Sequence, residues 1–298
     1  MFHSNKHKYY DSWINFPSQT PHKKSDFSLC ELDSSPTTNF KHRLKFKNNQ
    51  NREIALHSDE AFKDREIDHQ WMFQVKDVVS FFWTSGSKTM TYKLDSLGTK
   101  TLVHYWFIHI VYPLYLTLED KYYFLHSGAV TINNKAVSFM TRSRGGKSTL
   151  TDYFLKQGHT LLTDDKLATY EDEEKVYAVA SYPYHRPYRG YETLGEYVEN
   201  FESEVLVLGT IYILKKEDAS AEVEIVELKG IEKFTHIYQN SEIAFLLEFS
   251  DQMNYLGSLA KKVSVFSISI PWDLTRLEEV YTKIIQHQNT LNPGKQNV

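Results

Sequence analysis

The stretch SFMTRSRGGKSTLTDYFLKQGHTLLTDD, Ser138 to Asp165, decides the fold. It opens on the end of an apolar run, Ala136 to Met140, that reads as a strand. A short glycine turn follows, and then Lys147 to Gln157. There Leu150, Tyr153 and Phe154 recur at i, i+3, i+4 and mark one face of a helix. Gly158 stands where a helix C-cap glycine belongs. Thr160 to Thr163 reads as the next strand, ending in Asp164-Asp165. A strand, a glycine turn and a helix start aim several backbone N–H groups into one concavity, which suits phosphate.

Gly146, Lys147 and Ser148 match the end of the pattern G-x-x-x-x-G-K-[ST]. Lys147 would meet the β- and γ-phosphates and the Ser148 hydroxyl would reach Mg2+. As the first residue of a helix, Lys147 is expected to be exposed. Thr141 occupies the opening position of the pattern, where glycine permits positive φ, and Arg144 is a second departure inside the turn. Gly145 beside Gly146 is expected to relieve the turn, so that glycine at 141 would be tolerated. A plain strand–turn–helix with two glycines is the simpler reading. The acidic pair favours the phosphate reading: in an open α/β arrangement it reaches the same sheet edge as the loop. One carboxylate could orient Mg2+ or its waters while the other takes a proton from an incoming hydroxyl.

Outward from this stretch, Tyr122–Leu125, Ala129–Ile132 and Ala136–Met140 read as strands, with Asn133-Asn134 as a hairpin turn. Lys166–Tyr170 and Lys175–Ala180 flank an acidic turn and read as another hairpin. A short helix is expected over Glu192–Phe201 and paired strands over Val205–Leu214 and Ala221–Val226. A helix is expected over Ile231–Leu247, a strand over Val263–Ile270 closed by Pro271, and an amphipathic helix over Asp273–Gln286. Upstream, Phe40 to Leu94 is strand-like, with Thr84–Ser87 as a turn. Leu102–Tyr112 reads as an apolar helix, kinked or ended near Pro113.

These signals divide the chain into a poorly ordered basic leader (1–40), a β-rich region ending in an apolar helix (41–118), a nucleotide-binding domain (119–290) and a tail (291–298). Within the leader, Tyr9, Tyr10, Trp13 and Phe16 could anchor part of the chain. The first fifty residues hold eight Lys/Arg against four Asp/Glu, which makes them a solvated arm or a docking arm for an acidic partner. The net charge of −4 argues against a general nucleic-acid binder. The single cysteine, Cys30, forbids an intrachain disulfide and fits a cytoplasmic protein. The most apolar run, Tyr105 to Leu118, is shorter than the roughly 20 residues of a membrane span, so no membrane partner is expected.

His126-Ser127-Gly128-Ala129-Val130, Ser143-Arg144-Gly145-Gly146-Lys147-Ser148-Thr149, Gly158-His159 and Leu162-Thr163-Asp164-Asp165 together resemble the core of HPr kinase/phosphorylase and its shorter relatives. The nearest branch is the HPr-kinase-like enzymes that tailor lasso peptides, over roughly residues 100–290. The resemblance implies an α/β fold: a P-loop, carboxykinase-related mixed sheet flanked by helices, behind a small mainly β N-terminal region. It implies an ATP- and Mg2+-dependent kinase acting on a serine of a peptide or protein, such as a lasso-type precursor. Ser143, Arg144, Gly145, Gly146, Lys147, Ser148 and Thr149 would cradle phosphate. Ser148 and Asp165 would serve the metal, Asp164 would be the general base, and Asp165 would pair with His126 or support the metal. The residues themselves do not order the two aspartates.

The chain has no match to the second signature that full HPr kinase/phosphorylases use to remove phosphate, so that reaction and HPr itself are not implied. Arg186 and Arg189 follow the acidic hairpin and could steady a transferring phosphate, or be ordinary loop arginines. The alternatives to the kinase are a non-catalytic nucleotide-binding regulatory protein with a degenerate loop, and a small-molecule kinase. A homo-oligomer is left open.

Overall fold

The structure is a computed structural model. It describes residues 7–17, 25–48, 51–64, 68–141, 145–186, 190, 192–242 and 248–292. The chain divides into two compact units, Met1–Lys121 with Gly190–Leu194 and Phe245–Glu248, and Tyr122–Arg189 with Gly195–Ala244 and Phe249–Val298.

The first unit is a seven-stranded sheet and one broken helix. Its strands are β1 (Ile14–Asn15), β2 (Phe27–Glu31), β3 (His42–Lys47), β4 (Glu53–Ser58), β5 (Gln70–Val75), β6 (Val79–Thr84) and β7 (Thr89–Leu94), in the order β1-β2-β7-β6-β5-β4-β3. Strands β3 to β7 form an antiparallel meander, as the turn-punctuated apolar runs predict. β2 joins it parallel to β7. Residues 7–17 and 25–31, read from sequence as part of a loose leader, are therefore built into this unit. Tyr9, Tyr10, Ile14, Phe27 and Leu29 are buried. Their aromatic rings supply the burial that the polar flanks lack: Phe27 packs 4.9 Å from Tyr112, and Phe16 packs edge-on to Phe107.

The apolar helix does not stop at Pro113. α1 (Lys100–Trp106) passes through one π-helical turn, Phe107–Val111, into α2 (Tyr112–Leu118). Pro113 has no N–H to give, and the widened turn just before it absorbs the missing i→i−4 bond.

In the second unit, the strands are β8 (Tyr123–His126), β9 (Gly128–Ile132), β10 (Lys135–Met140), β11 (Thr160–Thr163), β12 (Lys166–Glu171), β13 (Val176–Val179), β14 (Tyr184–His185), β15 (Glu196–Tyr197), β16 (Leu206–Glu217), β17 (Ile225–Glu227), β18 (Ser241–Glu242) and β19 (Ser264–Pro271). The helices are α3 (Lys147–Lys156), α4 (Gly230–Gln239), α5 (Phe249–Lys262) and α6 (Leu277–Leu291). The long strand β16 belongs to two sheets. Its main length runs parallel to both β10 and β19, while its first residues pair with β13. One sheet thus runs β11-β9-β10-β16-β19-β17, and the other runs from β13 through β12 and β8 to β18. The mixed sheets with flanking helices agree with the α/β expectation.

The β9–β10 hairpin turns at Asn133 and Asn134, both at positive φ, as the Asn-Asn dipeptide predicts. β11 and β10 each run antiparallel to β9, so they are parallel to one another and end at the same edge. That places the chain after Met140 and the chain after Thr163 together.

Three further expectations differ. Residues 192–201 form no helix; instead Glu196–Tyr197 pairs with Tyr184–His185. β17 pairs with β19 and not with β16. α4 ends at Gln239 and gives way to β18, which pairs with β8. No helix among the described residues is long and apolar enough to cross a membrane.

Candidate active site

The glycine turn leads into a helix at Lys147, as the spacing predicts. Gly146 is the N-cap of α3 at φ +87°, a left-handed conformation suited to glycine. Leu150 N–H donates to its carbonyl at 2.9 Å. The first turn of α3 seats directly on the start of β9, because Gly128 has no side chain. A Cβ there would lie 2.7 Å from Thr151 Oγ1 and 3.2 Å from Lys147 Cγ.

The opening of the loop is solved differently from the standard pattern. Thr141 is buried and donates its hydroxyl to Leu214 O on β16 at 3.2 Å. A Cβ on Gly145 would fall 1.9 Å from Thr141 Oγ1. The threonine is a wedge, and Gly145 is the space it needs. Glycine at 141 would therefore lose an anchor, contrary to the expectation that it would be tolerated. Ser143, Arg144 and Arg189 lie outside the described residues. Ser148 and Thr149 are half-buried in the first turn of α3.

Lys147 is not exposed. It is 4% accessible and its Nζ turns inward, 3.1 Å from Asp165 Oδ1 and 3.2 Å from His126 Nε2. The two sheets bring these groups together. His126 ends β8, Asp164 and Asp165 form the turn between β11 and β12, and Ser127 N–H donates to Asp165 O at 3.0 Å. His126 Nδ1 lies 3.4 Å from Asp165 Oδ1 and 3.3 Å from Glu242 Oε1. Glu242 in turn accepts from Lys166 Nζ. Arg186 brings its Nη2 to 3.5 Å from Asp165 Oδ2.

The neighbouring aspartate is held otherwise. Asp164 is 2% accessible. Its Oδ1 lies 2.9 Å from His185 Nδ1, and its Oδ2 accepts from the Arg186 backbone N–H at 3.1 Å. His185 is buried, and its Nε2 has no hydrogen-bond partner among the described residues; Asp152 Oδ1 on α3 is 3.9 Å away. Asp164 thus orders the strand-to-loop passage through His185 and Arg186, whereas Asp165 meets the cations Lys147 and Arg186.

Burial pushes both carboxyls up, but their partners outweigh it. His185 and, more weakly, Arg186 hold Asp164 below the usual carboxylate range. The charges of Lys147, His126, Lys166 and Arg186 hold Asp165 well below it. Burial likewise pushes Glu242 up and Lys166 down, yet Lys166 and His126 leave Glu242 lowered, and Glu242 and Asp165 leave Lys166 raised. Both aspartates are therefore ionised at neutral pH.

His126, Lys147, Asp164 and Asp165, all singled out in the sequence, converge here. His185, Lys166, Glu242 and Asp152 were not singled out. His185, Lys166 and Glu242 carry only an indirect sequence signal, an ionisable residue at a strand terminus, and Asp152, inside α3, carries none.

No family model and no curated protein matches the sequence. Among solved structures, the chain is similar to the HPr(Ser) kinase/phosphatase from Coxiella burnetii, at 13% identity and a TM-score of 0.35, over 56% of this chain and 97% of that one.

Proposed function

We propose that this protein is a phosphotransferase that moves the γ-phosphate of ATP, with Mg2+, to a serine hydroxyl of a peptide or protein. The observation that carries the reading is the buried Lys147, at the glycine-capped head of α3, with Nζ 3.1 Å from Asp165 and 3.2 Å from His126. A buried lysine and carboxylate at a helix N-terminus are costly for stability alone and useful for handling a transferring phosphate.

In this reading the backbone N–H groups of α3's first turn and Lys147 bind the β- and γ-phosphates. Arg186, beside Asp165, compensates charge on the transferring group. Asp165 takes the acceptor proton. This departs from the role the resemblance gives Asp164, and it follows from the partners: both oxygens of Asp164 are committed to His185 and a backbone N–H. The partners of Asp165 are cations that a phosphate would draw away, and losing Lys147's charge raises its carboxyl toward a useful base.

The Ser148 hydroxyl suits Mg2+. Among the described residues no group of three or more His, Cys, Asp or Glu could hold a metal alone. That fits an ion bound through one hydroxyl, phosphate oxygens and water, with Asp165 available to order a metal water. When bound, Mg2+ would supply charge neutralisation. A lasso-type precursor, with a serine near its C-terminus, is the acceptor to try first.

The test is transfer of labelled γ-phosphate to such peptides by the full chain and by Lys147→Met, Asp164→Asn and Asp165→Asn. Loss of transfer with retained ATP binding in Asp165→Asn supports the assignment. Loss in Asp164→Asn alone returns the base to Asp164. Full transfer by Lys147→Met removes the phosphate-loop reading.

A further inference from the structure

A second feature adjoins the head of α3. Gly146, Thr149 and Leu150 form one wall of a cavity of about 210 Å³. Leu214, Ile270, Pro271, Trp272, Leu274 and Leu277 form much of the rest. Its lining is mostly apolar, in contrast to the ionic cluster around Lys147. We propose that this cavity takes the purine base of the nucleotide whose phosphates lie at the head of α3. The inference rests on the phosphate-loop reading and adds the site that holds the other end of the ligand.

The topology puts the cavity in the right place. β10, β16 and β19 are adjacent and parallel, so Met140, Glu217 and Pro271 emerge at one edge of the sheet. Ligands of open α/β sheets bind in the crevice beyond that edge. The loop after β19 is held there by Trp272 N–H donating to Glu217 O at 3.1 Å.

The chemistry suits a flat aromatic ring. Trp272 and Leu274 are large apolar side chains left 46% and 73% accessible at the cavity. The indole has neighbours on two sides. Lys216 Nζ sits 3.9 Å over one face of its ring, and a Cβ added to Gly146 would lie 3.4 Å from the ring edge. A partly exposed indole is a stacking platform, and stacking does not depend on which base is offered. The volume lies below the ~300–1,000 Å³ of pockets that enclose whole drug-sized ligands, so it fits one ring system with ribose and phosphates outside. Gly146, common to this wall and to the cap of α3, joins the base site to the phosphate site without a gap.

The experiment compares ADP with inorganic pyrophosphate, both with Mg2+, by calorimetry on the full chain. Trp272→Ala, Trp272→Phe and Leu274→Asp are measured beside the unaltered protein. Unaltered protein should bind ADP at least about tenfold tighter than pyrophosphate, and Trp272→Ala should remove most of that margin while leaving pyrophosphate within about twofold; Trp272→Phe should keep it. Leu274→Asp, at an exposed position that should not disturb folding, should weaken ADP selectively as well. Trp272 is one of five tryptophans, so fluorescence quenching by ADP but not by pyrophosphate, present in the unaltered protein and absent in Trp272→Phe, reports the base.

Two results would overturn the proposal. One is equal affinity of unaltered protein for ADP and pyrophosphate. The other is a Trp272→Ala loss of equal size for both ligands, which would make the indole a prop for the loop. Binding of neither ligand would instead remove the phosphate-loop reading, and the base site with it.

Discussion

Replacing Gly145 by alanine tests how this loop does without the usual opening glycine. The added Cβ would lie 1.9 Å from Thr141 Oγ1, 2.8 Å from Cγ2 and 2.9 Å from Cβ. All three atoms belong to a buried, β-branched side chain with few rotamers to escape into. Thr141 must rotate or the turn must shift. Either movement breaks its hydrogen bond to Leu214 O. Overpacking costs about 1–3 kcal/mol, and the lost hydrogen bond about 1 kcal/mol. The sum is about 2–4 kcal/mol. Thr141→Gly alone removes the hydrogen bond and a small buried side chain, for about 1–2 kcal/mol.

The double variant moves the glycine back to the opening position of the standard pattern and clears all three contacts. It should be more stable than the sum of the single changes by about 2–4 kcal/mol, because the overpacking is relieved and the hydrogen bond is lost only once. Because the chain has two compact units, a single unfolding midpoint is ambiguous. Hydrogen exchange of the peptides covering β10 and α3 measures the local cost. Additivity of the two changes within about 0.5 kcal/mol would show that Thr141 and Gly145 do not share one space, and the wedge account would fail.

Gly128→Ala should push the first turn of α3 off β9, cost about 1–3 kcal/mol in the same exchange assay, and weaken pyrophosphate binding; Thr151→Ala should restore part of both. The second unit should lose stability in acid. Asp164, Asp165 and Glu242 have folded pKa values below their unfolded ones, so their contribution is complete above about pH 5 and is lost as pH falls through the folded values. Urea unfolding followed at β12 should show that loss, and Asp165→Asn should flatten it. Glu242→Leu should destabilise by about 3–5 kcal/mol by stranding Lys166, whereas Glu242→Leu with Lys166→Met should recover most of it; equal losses in the two variants would mean that the pair is not energetically linked.

Local chemistry made part of this molecule legible. Asn133-Asn134 carries its own turn preference, and the spacing of Leu150 and Phe154 buries one face of α3 whatever lies opposite. Gly146-Lys147-Ser148 and Asp164-Asp165 were visible because their meaning depends on the strand before them. What stayed hidden depends on partners distant in sequence. Nothing near Ile225 says that it will pair with Ile268 instead of β16. The sequence 192–201 has some helical spacing, but Glu196–Tyr197 finds a partner in Tyr184–His185. α5 carries apolar residues at Tyr255, Leu256 and Leu259, yet Gly257 and Ser258 weaken the local helical signal. Within the site, Lys166 and Glu242 are 76 residues apart, and only the pairing of β8 with both β12 and β18 brings them together.

That pairing also bears on why the site is ionic at all. Lys147, Asp164, Asp165, Lys166, Arg186 and Glu242 are all less than about a quarter accessible, and they come from separate strands, turns and a helix. As a device for stability this is poor. Each buried charge carries a desolvation cost, and apolar residues of the same size would commonly hold the strands at least as well. The apolar cores on either side, around Leu125 and Leu161 and around Phe139 and Phe154, show that the fold has such residues close by. The charges are instead graded. Lys166 and Glu242 satisfy one another, Asp164 is fixed by His185, and Lys147 and Asp165 meet at the head of α3, where the backbone N–H groups also point. In the proposed function, an arriving phosphate would add negative charge at that one place. It would draw on Lys147 and Arg186 without breaking the Lys166–Glu242 pair, and the carboxylate left less compensated would be Asp165. In that reading the cations that exchange, Lys147 and Arg186, face one carboxylate, Asp165, whereas Lys166 and Glu242 form a pair of their own.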